Sequence, residues 1–459
     1  MSVPRAISAG SIDALPAEGR PFIPEGESMD IGYQHPRDQI AEIMDRIYRY
    51  GMTTTSGGNL SIKDDVGDIW ITPGGTDKGE LRPSEIVRMR NGAPVDTVLK
   101  PSSEHPFHRA VYEARPDVGA VLHAHSPALV AFSVAGKAPD TRVLPQAFDA
   151  CGKVGFAPYA VPGSEKLGRA IAAKFAEGCD VVVLENHGVV AVGATLLEAF
   201  QRFETLEFCA RTILNAAVLG GARYLSEEKL ALRRKGWRQI ADTFTPGPRG
   251  SRERELRKKL VDFVHRAYDR RLMTSTEGAF SARVGNDSFL VTPYGVDRRG
   301  LELSDIALVD GGRREIGSVP SRSAILHRLV YADHPEIGAI VSAQCPYVTA
   351  FIVSGTAFDS RTIPESYINL RDMPVVSYGA QFEDEGSVSV AITARNPVVI
   401  LENDAVFATG RTILEAYDRL EVAEATANAL LAARRLGEFR PIDDAAIAEI
   451  EEAFKVPKK

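Results

Sequence analysis

The sequence predicts an α/β fold present in two tandem copies, and three observations predict it. Segments with helical spacing of apolar residues alternate with short strand-like segments along the whole chain. A Gly- and Pro-rich stretch, Thr243-Phe-Thr-Pro-Gly-Pro-Arg-Gly-Ser-Arg252, interrupts the pattern near the middle. Beyond it the landmarks of the first half recur. Leu260, Phe263, Val264, Ala267 and Tyr268 repeat the stripe Ile40, Ile43, Met44, Ile47 and Tyr48 at an offset of 220, and Leu290-Val-Thr-Pro293 repeats Trp70-Ile-Thr-Pro73 at the same offset. Ile400-Leu-Glu-Asn403 repeats Val183-Leu-Glu-Asn186 at 217. The expected division is an arm over 1–35, a first domain over 36–242, a linker over 243–252 and a second domain over 253–459.

With 459 residues, 44% apolar and 25% charged, the composition is that of globular domains with substantial cores. A net charge of −7 without a basic stripe excludes general affinity for nucleic acid. The one basic run, from Arg252 to Lys259, alternates with Glu253 and Glu255 and reads as an exposed helix start. No apolar run has the length of a signal peptide or a membrane span, so a cytoplasmic protein with no membrane partner is expected. Cys151, Cys179, Cys209 and Cys345 are scattered without a Cys-x-x-Cys, which points to buried thiols in a reducing compartment.

Residues 1–35 are rich in Gly, Pro, Ser and Ala with no hydrophobic period, as in a flexible arm. An amphipathic helix carrying Ile40 to Tyr48 follows. It runs into Gly51-Met-Thr-Thr-Thr-Ser-Gly-Gly-Asn-Leu-Ser-Ile62, a donor-rich loop able to hold an anion, or a plain turn before a strand. A strand over 68–72 ends at Pro73-Gly74-Gly75. Pro101-Ser-Ser-Glu-His-Pro-Phe-His begins a helix in which Ser102 or Ser103 is the cap and Pro106 sits in the first turn. Glu104 and the backbone donors of Ser102 and Ser103 then lie at the positive end of the helix dipole, a seat for an anionic substrate group beside a reacting carboxylate. His105 and His108 read as structural or exposed.

In Ala120-Val-Leu-His-Ala-His125 the strand alternation puts His123 and His125 on one face and Leu122 and Ala124 into a core. Two imidazoles on one face can grip one metal. A helix over 165–177 and an apolar strand over 180–184 lead to Glu185-Asn-His187-Gly, then to a strand over 189–192 and a long helix over 193–219. His187 is the candidate third ligand, and three histidines with an open position are a catalytic rather than a closed structural pattern. Across the repeat, Glu104 corresponds to Ser323, His123 to Ser342, His125 to Gln344, His187 to Asp404 and Asn59 to Ala279. The scaffold persists where the chemistry is gone. The named groups are therefore a functional set in the first half, and the second half is expected to be a non-catalytic structural partner.

Thr55-Ser-Gly-Gly-Asn59, Ile71-Thr-Pro, Ser102-Ser-Glu104, His123-Ala-His125 and Asn186-His-Gly188 together resemble the class II aldolase/adducin family. The resemblance covers 36–220 well and 253–437 in degraded form. It implies an α/β/α sandwich around a mainly antiparallel sheet, in two copies, and a divalent metal on His123, His125 and His187. Zinc is the first expectation, with manganese, cobalt or iron as alternatives. It further implies Glu104 as acid/base, binding of the substrate's anionic end by Gly58, Asn59, Gly75, Ser102 and Ser103, and sites between neighbouring modules of a fourfold ring, so that the chain works as a homodimer or larger. The implied activity is aldolase-type carbon–carbon cleavage of a small hydroxy-carbonyl substrate through a metal-stabilised enediolate. Decarboxylation of a hydroxy- or keto-acid, and epimerisation or dehydration of a sugar derivative, use the same groups; a non-catalytic adducin-like interaction protein is the alternative of another class. Two departures weaken the specific reading of a sugar-phosphate aldolase and make a decarboxylase of an unphosphorylated acid the runner-up: Gln146 stands where family aldolases carry a tyrosine, with Tyr159 as a substitute if its loop folds inward, and Gly74 stands where they carry Thr or Ser. Gln146 is counted with the substrate-binding residues.

Overall fold

Strands whose residues are apolar on both faces need cover on both faces, and the first half builds such a sheet. The structure, a computed structural model, describes residues 34–457 except 96, 237, 438 and 439, so the arm expected over 1–35 lies almost wholly outside the described residues. The first sheet comprises β1 (Asn59–Lys63), β2 (Ile69–Ile71), β3 (Val87–Arg90), β4 (Ala93–Val95), β5 (Ala120–Ala124), β6 (Gly155–Ala157), β7 (Val181–Leu184) and β8 (Gly188–Gly193). Their order is β4-β3-β2-β1-β5-β8-β7-β6, antiparallel except for the β6–β7 pair. Helices α1 (Pro36–Arg49), α2 (His105–Ala114), α3 (Pro127–Val134), α4 (Pro145–Cys151), α5 (Glu165–Ala176) and α6 (Leu196–Ala217) accompany it. Leu122 and Ala124 pack with Ile40 and Phe200 on one face. Val121, Val190 and Val192 pack with Phe107, Ile171 and Phe175 on the other. These are the three layers of an α/β/α sandwich.

Joining helix α7 (Glu227–Gly236) leads to the second sheet, formed by β9 (Thr243–Phe244), β10 (Ala279–Arg283), β11 (Ser288–Val291), β12 (Ala307–Asp310), β13 (Arg313–Glu315), β14 (Ala339–Ala343), β15 (Val375–Val376), β16 (Val398–Leu401) and β17 (Ala405–Gly410). Its order, β15-β16-β17-β14-β10-β11-β12-β13-β9, repeats the first with one strand added. The added strand is β9, part of the expected linker, whose backbone pairs with the edge strand β13 in parallel. The second unit carries α8 (Ser251–Asp269), α9 (Ala324–Asp333), α10 (Pro346–Ser354), α11 (Pro364–Leu370), α12 (Ala380–Glu383), α13 (Glu385–Ala391), α14 (Ile413–Arg434) and α15 (Asp444–Ala453). No helix among the described residues is long and apolar enough to cross a membrane.

The duplication holds to the level of register. Asn59 faces His123 across β1 and β5, and Ala279 faces Ser342 across β10 and β14. Isolated bridges Pro73–Pro101 and Pro293–Pro320 repeat as well.

The two units share one core: Val143, Leu144, Ala147, Cys209 and Ala216 from the first pack into the cluster of the second. Along the same seam the fully buried Arg46 donates to Asp297 Oδ2 and Oδ1 at 2.6 and 2.9 Å and to the Tyr268 hydroxyl at 2.7 Å. That hydroxyl donates in turn to Glu204 at 2.8 Å. A buried guanidinium needs such pairing, and both of its terminal nitrogens have it here.

Candidate metal centre

His123 and His125 leave the end of β5 on one side of the sheet, as the alternation requires, and the β7–β8 turn brings His187 to them. Asn186 takes the left-handed conformation that the tight turn needs, with φ 51°. Ser133 anchors the turn by accepting from the His187 N–H at 2.9 Å and donating to the Leu184 carbonyl at 2.5 Å. One ligand nitrogen from each of the three imidazoles lies within 4.8 Å of the others. His123 Nδ1 is 3.0 Å from the Val189 carbonyl. A carbonyl only accepts, so Nδ1 carries the proton and the Nε2 lone pair faces the cluster.

The donor set fits a divalent ion. His123 and His125 are both pushed down to about 3, first by burial and then by the neighbouring imidazoles, so they are neutral at pH 7, the form that ligates. Their Nε2 atoms stand 2.9 Å apart. Glu104 Oε1 and His187 Nδ1 are buried with no hydrogen-bond partner. Room for the His125 ring comes from two glycines: a Cβ at Gly57 would stand 2.9 Å from its Nδ1, and one at Gly188 2.6 Å from its Cδ2.

Glu104 itself occupies the N-cap position of α2, where Ser102 or Ser103 was expected, and makes no capping bond. Its carboxylate turns inward instead. Oε2 accepts from Asn59 Nδ2 at 2.8 Å and lies 3.3 Å from His123 Nε2, while Oε1 is 3.5 Å from His187 Nε2. Behind Asn59 runs a buried chain: His108 Nε2 is 2.5 Å from Asn59 Oδ1, Ser61 Oγ 2.7 Å from His108 Nδ1, and the Tyr112 hydroxyl 2.8 Å from Ser61 Oγ. Only one direction satisfies every group. The hydroxyl of Tyr112 donates to Ser61, Ser61 to His108, His108 to the Asn59 carbonyl, and the Asn59 amide to Glu104, which must therefore accept. His108 is thus buried, and it positions Asn59. Sequence reasoning passed over this role, although Ser61, His108 and Tyr112 have counterparts Ser281, His327 and Tyr331 at matching repeat positions.

The turn expected to receive an anion is held by backbone ties. The Ser102 N–H donates to the Thr72 carbonyl and the Gly74 N–H to the Lys100 carbonyl, both at 3.0 Å, which holds the Gly74-Gly75 turn against the start of α2. Gly58 and Gly75 have φ of 75° and 70°. Ser102 is buried and Ser103 exposed. Beneath the turn lies a residue not foreseen, Lys78, whose ammonium donates to the Pro73 carbonyl at 2.6 Å. Burial pushes it down to about 8. Its repeat counterpart is Arg298, another buried cation, and that shared basic position was the available signal.

The sequence description "Class II Aldolase and Adducin N-terminal domain" matches residues 38–214 and again 258–431. The chain belongs to the class II aldolase and adducin family. An L-fuculose phosphate aldolase of Methanocaldococcus jannaschii is 34% identical over 184 residues, covering 40% of this chain and 98% of the relative. A 3-oxo-tetronate 4-phosphate decarboxylase of Pectobacterium atrosepticum is 32% identical over 205 residues, with 43% and 92% covered. A 5-deoxy-D-ribulose 1-phosphate aldolase of Bacillus thuringiensis serovar kurstaki is 32% identical over 202 residues, again with 43% and 92% covered. Each relative is matched almost whole by under half of this chain, as a tandem class II aldolase requires. Aldolases and decarboxylases are both lyases.

In this member of the family, Gln146, expected among the substrate-binding residues, is engaged away from the histidines. Its amide Nε2 donates to Asp404 Oδ1 of the second unit at 2.6 Å, because α4 lies across the seam. Tyr159 is exposed. In the second unit the buried chain survives as Ser281, His327 and Tyr331, with both hydrogen bonds at 2.8 Å, but stops there. His327 Nε2 has no partner because Ala279 replaces the asparagine.

Proposed function

We propose that the first module is the catalytic half, a metal-dependent lyase that cleaves a carbon–carbon bond in a small hydroxy-carbonyl compound with an anionic end. The observation that carries this reading is the convergence of three imidazoles, those of His123 and His125 held neutral by burial, with a carboxylate whose Oε1 has no hydrogen-bond partner. His123, His125 and His187 would hold the ion, zinc first, and the ion when bound supplies a Lewis acid for adjacent substrate oxygens. Glu104 does the proton work. Its Oε2 is fixed by Asn59 and its Oε1 is free to take a proton from the substrate hydroxyl that becomes a carbonyl, or to return one to carbon. The backbone of Gly58 and Gly75, with Ser102 and Ser103, receives the anionic end, and Lys78 places a positive charge under that turn.

Decarboxylation of a keto acid is the second reading, favoured by the displacement of Gln146 to the second unit and by Gly74 in the anion turn. Elemental analysis tests the metal: one ion per chain is expected, and none in His123→Ala. Protein that takes up no metal on reconstitution would rule the reading out. Incubation with ketose phosphates and with hydroxy- and keto-acids, scoring released aldehyde against carbon dioxide, separates the two lyases. We further propose that two chains close a ring of four modules.

A further inference from the structure

The second unit has lost its metal ligands but not its cavity. A cavity of about 420 Å³ opens where the metal centre lies in the first unit, with Ser342, Gln344 and Asp404 in its wall. This is not a metal site. A hydroxyl and an amide are poor ligands for a transition ion, and Asp404 is occupied by two amides, Gln146 Nε2 on Oδ1 at 2.6 Å and Gln381 Nε2 on Oδ2 at 2.9 Å.

The anion end, by contrast, is kept and enriched. Gly278 and Gly295, with φ of 82° and 75°, repeat Gly58 and Gly75. Ser321 repeats Ser102 before α9, and the bridge between Pro293 and Pro320 holds the turn there. Arg322 takes the place of Ser103 and donates to the Tyr294 hydroxyl at 2.7 Å on the cavity wall. Arg233 reaches in from α7, with Nε 3.2 Å from Asp149.

Several atoms in the wall have unmet hydrogen-bonding capacity. Arg233 and Gln146 are each only 8% exposed, yet one guanidinium nitrogen of Arg233 and Oε1 of Gln146 have no partner. Gln344 Nε2, standing where His125 stands in the first unit, has none either. Buried polar atoms left unmet are costly, and a ligand that pairs with them relieves that cost. Two donors and one acceptor around a space of this size, next to a retained anion turn, describe a ligand with one anionic group and neighbouring hydroxyls.

We propose that this cavity binds a small hydroxylated anion, a sugar acid or its phosphate, without metal and without reaction. The wall is drawn from both units, since Gln146 and Asp149 come from α4, Gln201 from α6, Arg233 from the joining helix, and Ser342, Gln344 and Asp404 from the second unit. Occupancy therefore fastens the seam.

The test uses the full chain carrying His123→Ala and His125→Ala, freed of metal, so that the first centre contributes no metal-dependent binding. Titration calorimetry with D-glycerate and with 3-phosphoglycerate should show one site per chain for at least one of them and a rise in melting temperature. Which probe binds identifies carboxylate or phosphate as the anionic group. Adding Gln344→Leu or Arg322→Met should weaken binding at least tenfold, with circular dichroism confirming the fold. Should Arg322→Met not fold, Gln344→Leu decides alone. Absence of heat and of any melting shift with both probes overturns the proposal, as does binding that persists unchanged in a folded Gln344→Leu protein. Loss of the proposed lyase reading would show in metal content and leave this titration unaffected.

Discussion

Glu104 needs only its shape to hold Asn59 but needs its charge to move a proton. Glu104→Gln should therefore keep the fold and the metal while kcat falls by roughly 10²–10⁴, read by steady-state kinetics beside metal analysis. His327 offers a pH test free of the metal. It is fully buried and pushed down to about 3 by burial, against about 6.5 in the unfolded chain. Its folded value is depressed, so its contribution to stability is present above pH 6.5 and lost progressively as pH falls toward 3. The loss from pH 6.5 to 5 is about 2 kcal/mol from this residue. Urea unfolding at the two pH values should show that difference shrinking by about the same amount in His327→Gln. At this scale the sequence was legible where a group is present in one copy and absent in the other, as with His123 and Ser342. It read His108 only as structural or exposed and passed over Lys78, because a histidine kept in both copies and a cation kept as Lys78 and Arg298 look structural until their partners are seen.

The elements followed from periodicity wherever both faces of a strand or one stripe of a helix decide burial. The alternation along β5 placed His123 with His125, and Val181–Leu184 read correctly as a covered strand. What periodicity could not foresee were features set by distant partners. Glu104 displaced the serines from the cap because Asn59 draws its carboxylate inward. The Thr243–Phe244 strand formed because β13 offered it a free edge. Gln146 faces Asp404 because α4 packs across the seam. The loop before β1 gives the element-scale prediction. Position 57 is glycine in the copy that carries the three histidines and the equivalent 277 is glutamate in the other, and any Cβ at 57 stands 2.9 Å from His125 Nδ1. Gly57→Glu should expel the His125 ring and reduce bound metal below one-tenth per chain, with an unchanged circular dichroism spectrum. Full metal occupancy in that variant would show that the loop does not shape the site.

At the scale of the whole molecule, the seam inside the chain has an unused copy of itself. Arg46, Tyr268, Asp297 and Glu204 join the first unit to the second. At the repeat offsets their counterparts are Arg266, Tyr48, Asp77 and Glu421. Arg266 and Asp77 are exposed, and Tyr48 and Glu421 are half-buried. Arg266 even lies over Tyr417, 5.8 Å from the ring centre, as Arg46 lies over Phe200 at 4.5 Å. A head-to-tail contact that repeats must either close or propagate, and two chains of two modules close it with fourfold pseudosymmetry. Closure would also lay α11 of a second copy over the metal centre, as α4 lies over the second cavity. Wild-type protein should therefore have twice the 49.8 kDa chain mass in solution. Asp77→Arg should yield single chains, since breaking one member of a buried ion pair costs about 3–5 kcal/mol. Adding Arg266→Asp to the same chain reverses both charges and should restore the double mass, because each altered residue then meets its altered partner. Light scattering at micromolar concentration reads all three, and a wild-type protein at the single-chain mass would exclude the ring.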